Sequence, residues 1–578
     1  MIRTFDEHVL RSTQLLNKLW DFKLDPLDHG VQERWFESFP SEYDQMPVPA
    51  CWNNELGKFE YEGAAWYRTY VRCENKEHLR LIFHAVLGFA DVYWDGILLG
   101  RHFGGYTPFE FKLLDQNAGL HELILRTDST LDQTTIPIDP VDWFHYGGII
   151  RPVEVQRLEE VHIERLNMKY EMTGDHSADI QFTIKLRSFA ADPVTVPVKI
   201  EVDGEAIHAE QVTLDSHAVK EIVLTQSWTD VRRWHIGKPE LYTIRVTTGK
   251  DDLIDRIGFR TIETKHKQIW LNGEALYLQG VNRHEEHPEW GFAFPNKLMT
   301  KDLDIIQNLG CNTVRGSHYP QSKYWIDLLD ERGIVFWSEI PIWGAHMPKE
   351  VTAQPIFIER ALTMMGEMVD RDMHHPSIIF WSVHNEIDTK SQEAYDLSVQ
   401  MIDLVRSKDL SRPIAYATMH PLEDICLGLF DVIGINKYCG WYEGSVDQFK
   451  PLLMKFHERC KEYGAEHTPV LMTEFGGAGI YGDEGWEPRL FSEDYQAFVL
   501  EQALLIFRDD PAISGTYVWQ FADVRADLSS AKTNFRDRAR SFNNKGLVNE
   551  YRKPKLAFRV VRSIYQGDTD LLGNKFKQ

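Results

Sequence analysis

The amino-acid sequence predicts a multidomain β plus α/β fold: a jelly-roll-like β-sandwich, an immunoglobulin-like β-sandwich and a C-terminal (β/α)8 TIM barrel. The 578 residues are too many for a single hydrophobic core. Short β-rich runs without a long helical period fill the first part of the chain, and strands alternate with helical segments in the rest. These changes in the pattern of predicted strands and helices place the expected domains at residues 1–163, 164–262 and 263–578.

The composition excludes several classes of protein. A net charge of −24 would repel phosphate groups, so neither a nucleic acid nor a membrane is an expected partner. The six cysteines are scattered without a Cys-x-x-Cys pair, so neither a disulfide framework nor a zinc site is indicated, and no metal or organic cofactor is expected. The N-terminal segment lacks an apolar run, and no stretch approaches about 18 apolar residues, so we expect a cytoplasmic protein.

The first two domains are predicted from strand and turn signals. Residues 66–71 and 81–84 are β-rich runs, and Asp95-Gly96 is typical of a two-residue hairpin turn. Residues 180–186 alternate strictly between apolar and polar, as expected for a sandwich strand, and Asp203-Gly204 marks another turn. Nothing in the second domain suggests chemistry, so its expected role is spacing and packing.

The C-terminal part is predicted to form the barrel because its strands alternate with helices. A hairpin signal at Asn272-Gly273 precedes the series, and Thr300 and Gly310 are the expected N-cap and C-cap of its first helix. The eight predicted strands are residues 275–281, 312–315, 334–338, 378–384, 414–417, 432–436, 470–474 and 515–519.

Two of these strands end in a glutamate that no hydrophobic pattern explains. Glu386 follows the fourth strand and Glu474 ends the seventh, and both strands are otherwise almost wholly apolar. The strand ends of a closed barrel share one rim, where the two carboxylates could converge. Two carboxylates are what glycoside hydrolysis requires. The alternative is a pair of unrelated strand ends that meet only solvent or an arginine.

Other polar residues follow the predicted strands. Arg315 could hold a carboxylate and depress its pKa, and His318 could bond a sugar hydroxyl. His284 could do the same, although a structural role is nearly as well supported. The segment 282–288 resembles a metal site, but its two histidines lack the HExxH spacing and an identifiable third ligand.

Five motifs occur in the order found in glycoside hydrolase family 2, which this chain resembles over nearly its whole length. They are Trp66-Tyr67-Arg68, Asn282-Arg283-His284, and the segments 315–320, 381–386 and 473–476. The resemblance implies a sugar-binding-like first sandwich and a retaining exo-β-glycosidase. It assigns Glu386, after Asn385, as acid/base and Glu474 as nucleophile. Ile387 stands where the family usually has proline, which affects the loop rather than the chemistry.

Within that family the chain is similar to the β-glucuronidases. The Asn-x-Lys element of that group matches Asn543 and Lys545, which would bind the C6 carboxylate of a uronic acid. The glycone pocket of the group is matched by Asn436, Tyr438 and Tyr442 of the segment after the sixth strand and by Asp142 of a loop in the first domain. Trp441, in the same segment, and Trp519, at the end of the eighth strand, are further candidates for binding the sugar.

Several positions near the expected sugar depart from the β-glucuronidase pattern. Cys439 replaces a tyrosine, Lys437 an arginine and His145 an asparagine, and neither Arg538 nor Arg540 has the usual offset from the Asn-x-Lys element. One relocated hydrogen-bond partner can decide between epimers, so the preferred configuration at C4 stays open.

The expected activity is therefore retaining exo-hydrolysis of terminal β-D-glucuronides, with the two carboxyl groups roughly 5–5.5 Å apart. The alternatives are a β-galacturonidase or dual β-hexuronidase, then a neutral-sugar β-galactosidase, and, from a different class, a non-catalytic glycan-binding protein. The expected partner is a β-linked uronic acid conjugate or oligosaccharide. Barrels with appended sandwiches often associate, so a homodimer or homotetramer is compatible with the sequence, which reveals no interface.

Overall fold

The first part of the chain forms a sandwich of two antiparallel sheets. The computed structural model describes residues 7–526 and 538–567. The strands are β1 Thr13–Leu15, β2 Leu19–Asp25, β3 Asp44–Pro47, β4 Ala64–Cys73, β5 Glu77–Phe83, β6 Gly88–Trp94, β7 Ile97–Gly104, β8 Phe109–Gln116, β9 Gly119–Asp128 and β10 Val153–Leu158. One sheet has the order β3-β2-β4-β9-β6-β7 and the other β1-β10-β5-β8. Asp95 and Gly96, with φ of 48° and 80°, join β6 to β7, which confirms the predicted hairpin.

A second sandwich follows. Its strands are β11 Val161–Gly174, β12 Ser177–Ser188, β13 Val194–Val202, β14 Glu205–Leu214, β15 Val219–Thr229, β16 Tyr242–Thr248 and β17 Asp251–Ile257. The sheets have the orders β11-β12-β15 and β14-β13-β16-β17. Ile180, Phe182 and Ile184 of β12 all face the core, as the predicted alternation requires. Asp203-Gly204 joins β13 to β14, as predicted.

A small antiparallel sheet connects the second sandwich to the barrel. It consists of β18 Ile262–Lys265, β19 Gln268–Leu271 and β20 Glu274–Leu276, with Asn272-Gly273 as the predicted hairpin turn. The first predicted barrel strand, 275–281, was therefore too long, because its first residues pair with β19 instead. The predicted domain boundaries, 163/164 and 262/263, fall within β11 and β18 and stay predictions.

The barrel closes through eight parallel strands. They are β21 Leu278–Asn282, β22 Thr313–Gly316, β23 Val335–Glu339, β24 Ile378–Asn385, β25 Ile414–Thr418, β26 Val432–Asn436, β27 Val470–Glu474 and β28 Ile513–Val518. The helices are α1 Asn296–Leu309, α2 Lys323–Arg332, α3 Pro355–Asp372, α4 Gln392–Lys408, α5 Phe449–Glu462, α6 Glu493–Arg508 and, after the short strands β29 Val524–Arg525 and β30 Phe542–Asn543, α7 Leu556–Gln566. This architecture confirms the predicted fold class.

The first barrel helix begins earlier than predicted. Pro295, with φ of −68°, occupies the N-cap position of α1, and Thr300 lies inside the helix, where its hydroxyl donates to the Asn296 carbonyl. The Thr300 cap was wrong because the helix begins without any side-chain cap, at Pro295, whose ψ of 139° is still extended. Gly310, with φ of 96°, ends α1 as predicted.

An aromatic cluster joins the first sandwich to the C-terminal face of the barrel. Tyr106 of the sandwich stacks on Tyr319 at 4.4 Å between ring centroids, and Trp143 contacts Trp343 edge to face at 6.0 Å. Both pairs belong to one buried apolar group, so a sandwich loop is fixed over the barrel rim. Among the described residues, no helix is long and apolar enough to span a membrane. All six cysteines are buried thiols.

Candidate active site

A cavity at the C-terminal face of the barrel contains both predicted carboxylates. Glu474 is the last residue of β27, and Glu386 directly follows β24. Only 3% of Glu474 and 9% of Glu386 is exposed. Both line a single cavity of about 280 Å³, as expected when parallel strands of a closed barrel end at the same rim.

The backbone at Glu386 is unusual. Its φ of 56° lies in the left-handed region, which costs a residue with a side chain about 1–3 kcal/mol. The Glu386 amide donates to the Ala417 carbonyl of β25 at 2.9 Å. The neighbouring strand thus holds Glu386 where β24 ends, and its side chain is directed into the cavity.

Arg315, at the end of β22, lies beneath the two carboxylates and is fully buried. Its Nη1 donates to Glu474 Oε1 at 2.9 Å and to Asn282 Oδ1 at 2.7 Å. Its Nη2 donates to Glu339 Oε1 at 3.0 Å and to Asn385 Oδ1 at 2.7 Å. One guanidinium therefore connects the ends of five barrel strands and neutralises part of the charge of two buried carboxylates.

Glu474 accepts hydrogen bonds from two donors. Arg315 binds Oε1, and the Tyr438 hydroxyl donates to Oε2 at 2.8 Å. Burial, with the Glu474 carboxylate next in effect, raises the pKa of Tyr438 well above its usual value, so this phenol stays a donor. Donors on both oxygens stabilise the ionised form of the carboxyl group.

Glu386 has the opposite environment. Burial and the nearby Glu474 carboxylate raise its pKa to about 8. Asn436 Nδ2 donates to Glu386 Oε1 at 2.9 Å, and Thr473 fixes the amide by donating to Asn436 Oδ1 at 2.7 Å. Glu386 therefore carries a proton at neutral pH beside an ionised partner, which is the division of roles between an acid and a nucleophile.

The Lys545 ammonium lies in the same cavity. Only 1% of Lys545 is exposed, and its Nζ donates to the Tyr442 hydroxyl at 2.8 Å. The nitrogen also lies 5.7, 5.5 and 4.8 Å from the ring centroids of Tyr438, Trp441 and Tyr442. Aromatic faces stabilise a buried cation, and this one lines the cavity that also contains Glu386 and Glu474.

A loop of the first sandwich completes this end of the cavity. Asp142 accepts from Arg538 Nε at 2.9 Å in a two-point ion pair, and from Asn543 Nδ2 at 3.4 Å. Arg538 Nη1 also donates to the Tyr442 hydroxyl at 3.3 Å. Arg538 and Lys545 thus meet at one phenol, which places two cations at this end of the site.

The structure brings most of the predicted site residues to the cavity. Those that line it are Asp142, His318, Glu386, Asn436, Tyr438, Tyr442, Glu474, Trp519 and Lys545. Those that lie behind the lining are His284, Arg315, Asn385, Trp441 and Asn543. The second group contacts the first, as Arg315 contacts Glu474 and Asn543 contacts Asp142.

His284 packs behind the cavity wall. Its ring lies 5.5 Å from the rings of His318 and Trp519, and its Nδ1 is 3.3 Å from the Tyr319 hydroxyl. Burial lowers the pKa of His284 well below its usual value, so the ring is neutral. A neutral ring here supports the positions of His318 and Trp519.

Sequence reasoning missed three residues of the site. Glu339 ends β23 and binds Arg315 and His318, and the signal was present because a third apolar strand also ends in a glutamate. Burial raises the pKa of Glu339, but Arg315 and His318 more than offset this, so the pKa lies below its usual value. Trp143 lines the cavity, yet its sequence neighbourhood gives no sign of this. For Arg538, the sequence showed only an unusual spacing from the Asn-x-Lys element, not a place in the site.

One cluster among the described residues has metal-ligand atoms close together. Asp327, Asp330 and His375 lie within 4.8 Å of one another, outside the cavity lining. His375 Nδ1 is 2.5 Å from Asp330 Oδ2, and Arg256 Nη2 is 3.2 Å from Asp327 Oδ1. The arginine already supplies the positive charge that these carboxylates need, so the cluster is an ion-pair network.

Comparison with protein families identifies the chain. The model for the TIM barrel domain of glycosyl hydrolases family 2 matches residues 262–568, and a second model of that family matches residues 161–260. The chain therefore belongs to glycosyl hydrolases family 2, and two carboxylates at the C-terminal face of the barrel are the groups that glycoside hydrolysis requires. The predicted resemblance is confirmed.

Individual relatives span nearly the whole chain. The β-glucuronidase of Paenibacillus borealis is 26% identical over 96% of each chain. Among solved structures, a β-galacturonidase from Eisenbergiella tayi bound to galacturonate superposes with a TM-score of 0.89 at 32% identity, covering 98% of this chain and 99% of the other. The Ruminococcus gnavus β-glucuronidase gives 0.85 at 25% identity, covering 96% and 98%.

We expect Arg315→Met to destabilise the barrel by about 3–5 kcal/mol, because it leaves Glu339 and Glu474 buried without their cation. The urea midpoint of the barrel transition measures the loss, and adding Glu339→Gln should recover part of it. Arg332→Met is the matched control, because the Arg332–Asp304 pair is 41% and 58% exposed and should contribute less than about 1 kcal/mol. Equal losses in the two arginine variants would contradict the account of Arg315.

Proposed function

We propose that the chain is a retaining exo-β-hexuronidase that hydrolyses terminal β-D-glucuronides through a covalent glycosyl-enzyme. The observation that carries this proposal is the Lys545 ammonium, which shares one buried cavity with Glu386 and Glu474. Two carboxylates in different environments supply the hydrolytic chemistry. A cation in the same cavity supplies a partner for a substrate carboxylate.

The two glutamates divide the first step. Glu386 donates its proton to the glycosidic oxygen, and a Glu474 oxygen bonds to the anomeric carbon as the bond to the aglycone breaks. In the second step Glu386 takes a proton from water, whose oxygen bonds to the anomeric carbon and displaces Glu474. Two inversions give net retention. The raised pKa of Glu386 and the two donors on Glu474 support these roles.

The uronic acid is recognised through its carboxylate. Lys545 binds the C6 carboxylate, with Asn543 close by and the Tyr442 hydroxyl as a shared hydrogen-bond partner. Asp142 and Trp143 of the sandwich loop also line the cavity, and a wall from a second domain supports removal of a terminal sugar rather than cleavage inside a chain. Asn385 Nδ2, buried without a hydrogen-bond partner among the described residues, offers a donor to a sugar hydroxyl.

The second candidate substrate is a terminal β-D-galacturonide. The galacturonidase named above shares more of its residues with this chain than either of the glucuronidases named above. The two sugars differ only in their configuration at C4, and one hydrogen-bond partner can decide between such epimers. The mechanism and the carboxylate site are the same for the two epimers.

A fluorinated substrate analogue tests the covalent intermediate. A 2-deoxy-2-fluoro-β-uronosyl fluoride should inactivate the enzyme and add the mass of one 2-deoxy-2-fluorouronosyl group to the peptide containing Glu474. The fluorine at C2 slows both steps, and the good fluoride leaving group at C1 keeps formation of the intermediate faster than its breakdown. Mass spectrometry of the digested protein locates the label. Glu474→Ala should take up no label, and a label on any other carboxylate would overturn the nucleophile assignment.

The fall of kcat/KM at high pH should follow the deprotonation of Glu386. The acid must be protonated, so activity is present below the raised pKa and falls as pH rises through about 8. A 2,4-dinitrophenyl uronide, whose leaving group needs no proton, should show a much weaker limb than an alkyl uronide. Glu386→Ala should lose about 10²–10⁴-fold on the alkyl substrate. An unchanged alkaline limb in Glu386→Ala would contradict this role.

Substrate preference tests the carboxylate site. On p-nitrophenyl β-D-glucuronide, galacturonide, glucoside and galactoside, a uronide should give the highest kcat/KM. Lys545→Met should lower the uronide value by about 10–100-fold, the size of a lost hydrogen bond to a charged group, with a smaller change on neutral sugars. Lys437→Met is the matched control.

Lys437 also lines the cavity but pairs with Glu443 at 3.1 Å, so its removal should change the uronide-to-neutral ratio less than about fivefold. If a neutral sugar is the best substrate, the hexuronidase activity is wrong, whereas the two-glutamate mechanism is unaffected. The better of the two uronides decides the epimer.

A further inference from the structure

The segment that carries Asn543 and Lys545 lies outside the barrel strands, so other contacts must hold it. On one side the backbone joins it to the end of β28: Gln520 N donates to the Lys545 carbonyl at 3.0 Å, and Leu547 N donates to the Gln520 carbonyl at 2.8 Å. These two bonds fix the chain direction at Lys545. They do not relate Lys545 to the loop that follows Glu474.

Lys555 connects the segment of Lys545 to the loop that follows Glu474. Only 1% of it is exposed, and its Nζ donates to three acceptors: the Gly479 carbonyl at 2.6 Å, Asp523 Oδ1 at 2.7 Å and the Asn544 carbonyl at 3.0 Å. An ammonium has three donors, and all three are used. Lys555 is therefore an internal connector, with no donor left for a ligand.

The three acceptors come from three different parts of the site. Gly479 belongs to the loop after β27, which ends in Glu474, and Asp523 follows β28. Asn544 lies between Asn543 and Lys545. The Gly479 amide also donates to the Asn544 carbonyl at 2.9 Å, so the contact between the first and third parts is made twice.

Asp523 extends the same connection. Its Oδ1 also accepts from the Gly546 amide at 2.9 Å, directly after Lys545. A Cβ on Gly546 would lie 2.2 Å from the Asp523 amide nitrogen, so the two segments are in contact at the backbone. Gln496 of α6 donates to the Gly546 carbonyl at 3.0 Å on the other side. The residues on both sides of Lys545 are thus fixed by Lys555 and its partners.

We propose that Lys555, with Asp523, is a positioning residue that sets the distance between the carboxylate-binding ammonium of Lys545 and the nucleophile loop of Glu474. The inference rests on the proposed function, because it assigns Lys545 to the substrate carboxylate. Lys555 touches neither the sugar nor the reacting atoms. It acts through the backbone of residues 544–546, and its loss lets the ammonium leave the place where the carboxylate binds.

The test compares binding of a uronic-acid iminosugar with binding of the iminosugar that has a hydroxymethyl group in its place. Titration calorimetry gives the ratio of the two affinities without turnover. Lys555→Met and the double variant Asp523→Asn/Lys555→Met, which leaves no unpaired buried charge, should each lower the ratio at least tenfold. Lys545→Met, the reference, should lower it similarly.

The combination of Lys545→Met with Lys555→Met distinguishes positioning from general destabilisation. If Lys555 acts through Lys545, the combined variant should lower the affinity ratio no further than Lys545→Met alone. Arg11→Met/Asp251→Asn is the matched control, because that ion pair is also fully buried, at 2.8 Å, and lies away from the cavity. It should lower the melting temperature and leave the ratio unchanged.

The outcomes separate the inference from the proposed function. If Lys545→Met lowers the ratio and both Lys555 variants leave it within twofold of wild type, the positioning role is overturned and the proposed function stands. If Lys545→Met itself leaves the ratio unchanged, the carboxylate site is wrong and the inference falls with it. Multiplicative losses in the combined variant would also overturn the inference.

Discussion

The buried guanidinium of Arg315 is the interaction on which the rest of the site depends. Carboxylates cannot be buried as anions without a compensating charge. Arg315 provides that charge to Glu474 and Glu339, and its remaining contacts orient Asn282 and Asn385. Because these partners end different strands, the network can form only when the barrel is closed. The closed barrel and the charge balance of the site therefore depend on each other.

This arrangement explains how two similar side chains acquire opposite properties. Glu474 has a donor on each oxygen, whereas Glu386 accepts from a neutral amide and faces the charge of Glu474. The raised pKa of Glu386 arises from its burial and from the nearby Glu474 carboxylate rather than from the side chain itself. Glu386 also occupies a left-handed backbone conformation, so the chain accepts local strain at the residue whose side chain enters the cavity.

Much of this could be predicted from the sequence, for physical reasons. Barrel strands are buried on both faces, so a glutamate at the end of an apolar run stands out, and Glu386 and Glu474 were found this way. The same signal at Glu339 was overlooked because the predicted third strand stopped one residue early. Contacts between distant segments leave no local signature. Trp143 and the contact between Asp142 and Arg538 depend on how the sandwich packs against the barrel.

The cations show why composition alone misleads. From its net charge of −24 alone, the chain is expected to repel an anionic sugar. Burial changes this, because the field inside a cavity is set by the nearest groups and surface charges are screened over about 8–10 Å. Arg315 binds Glu474, and Lys555 uses all three of its donors on its own acceptors. Lys545 lines the cavity that also contains Glu386 and Glu474, where aromatic rings and a phenol surround its ammonium group. A buried cation in the wall of this cavity is the property that a uronic acid site requires.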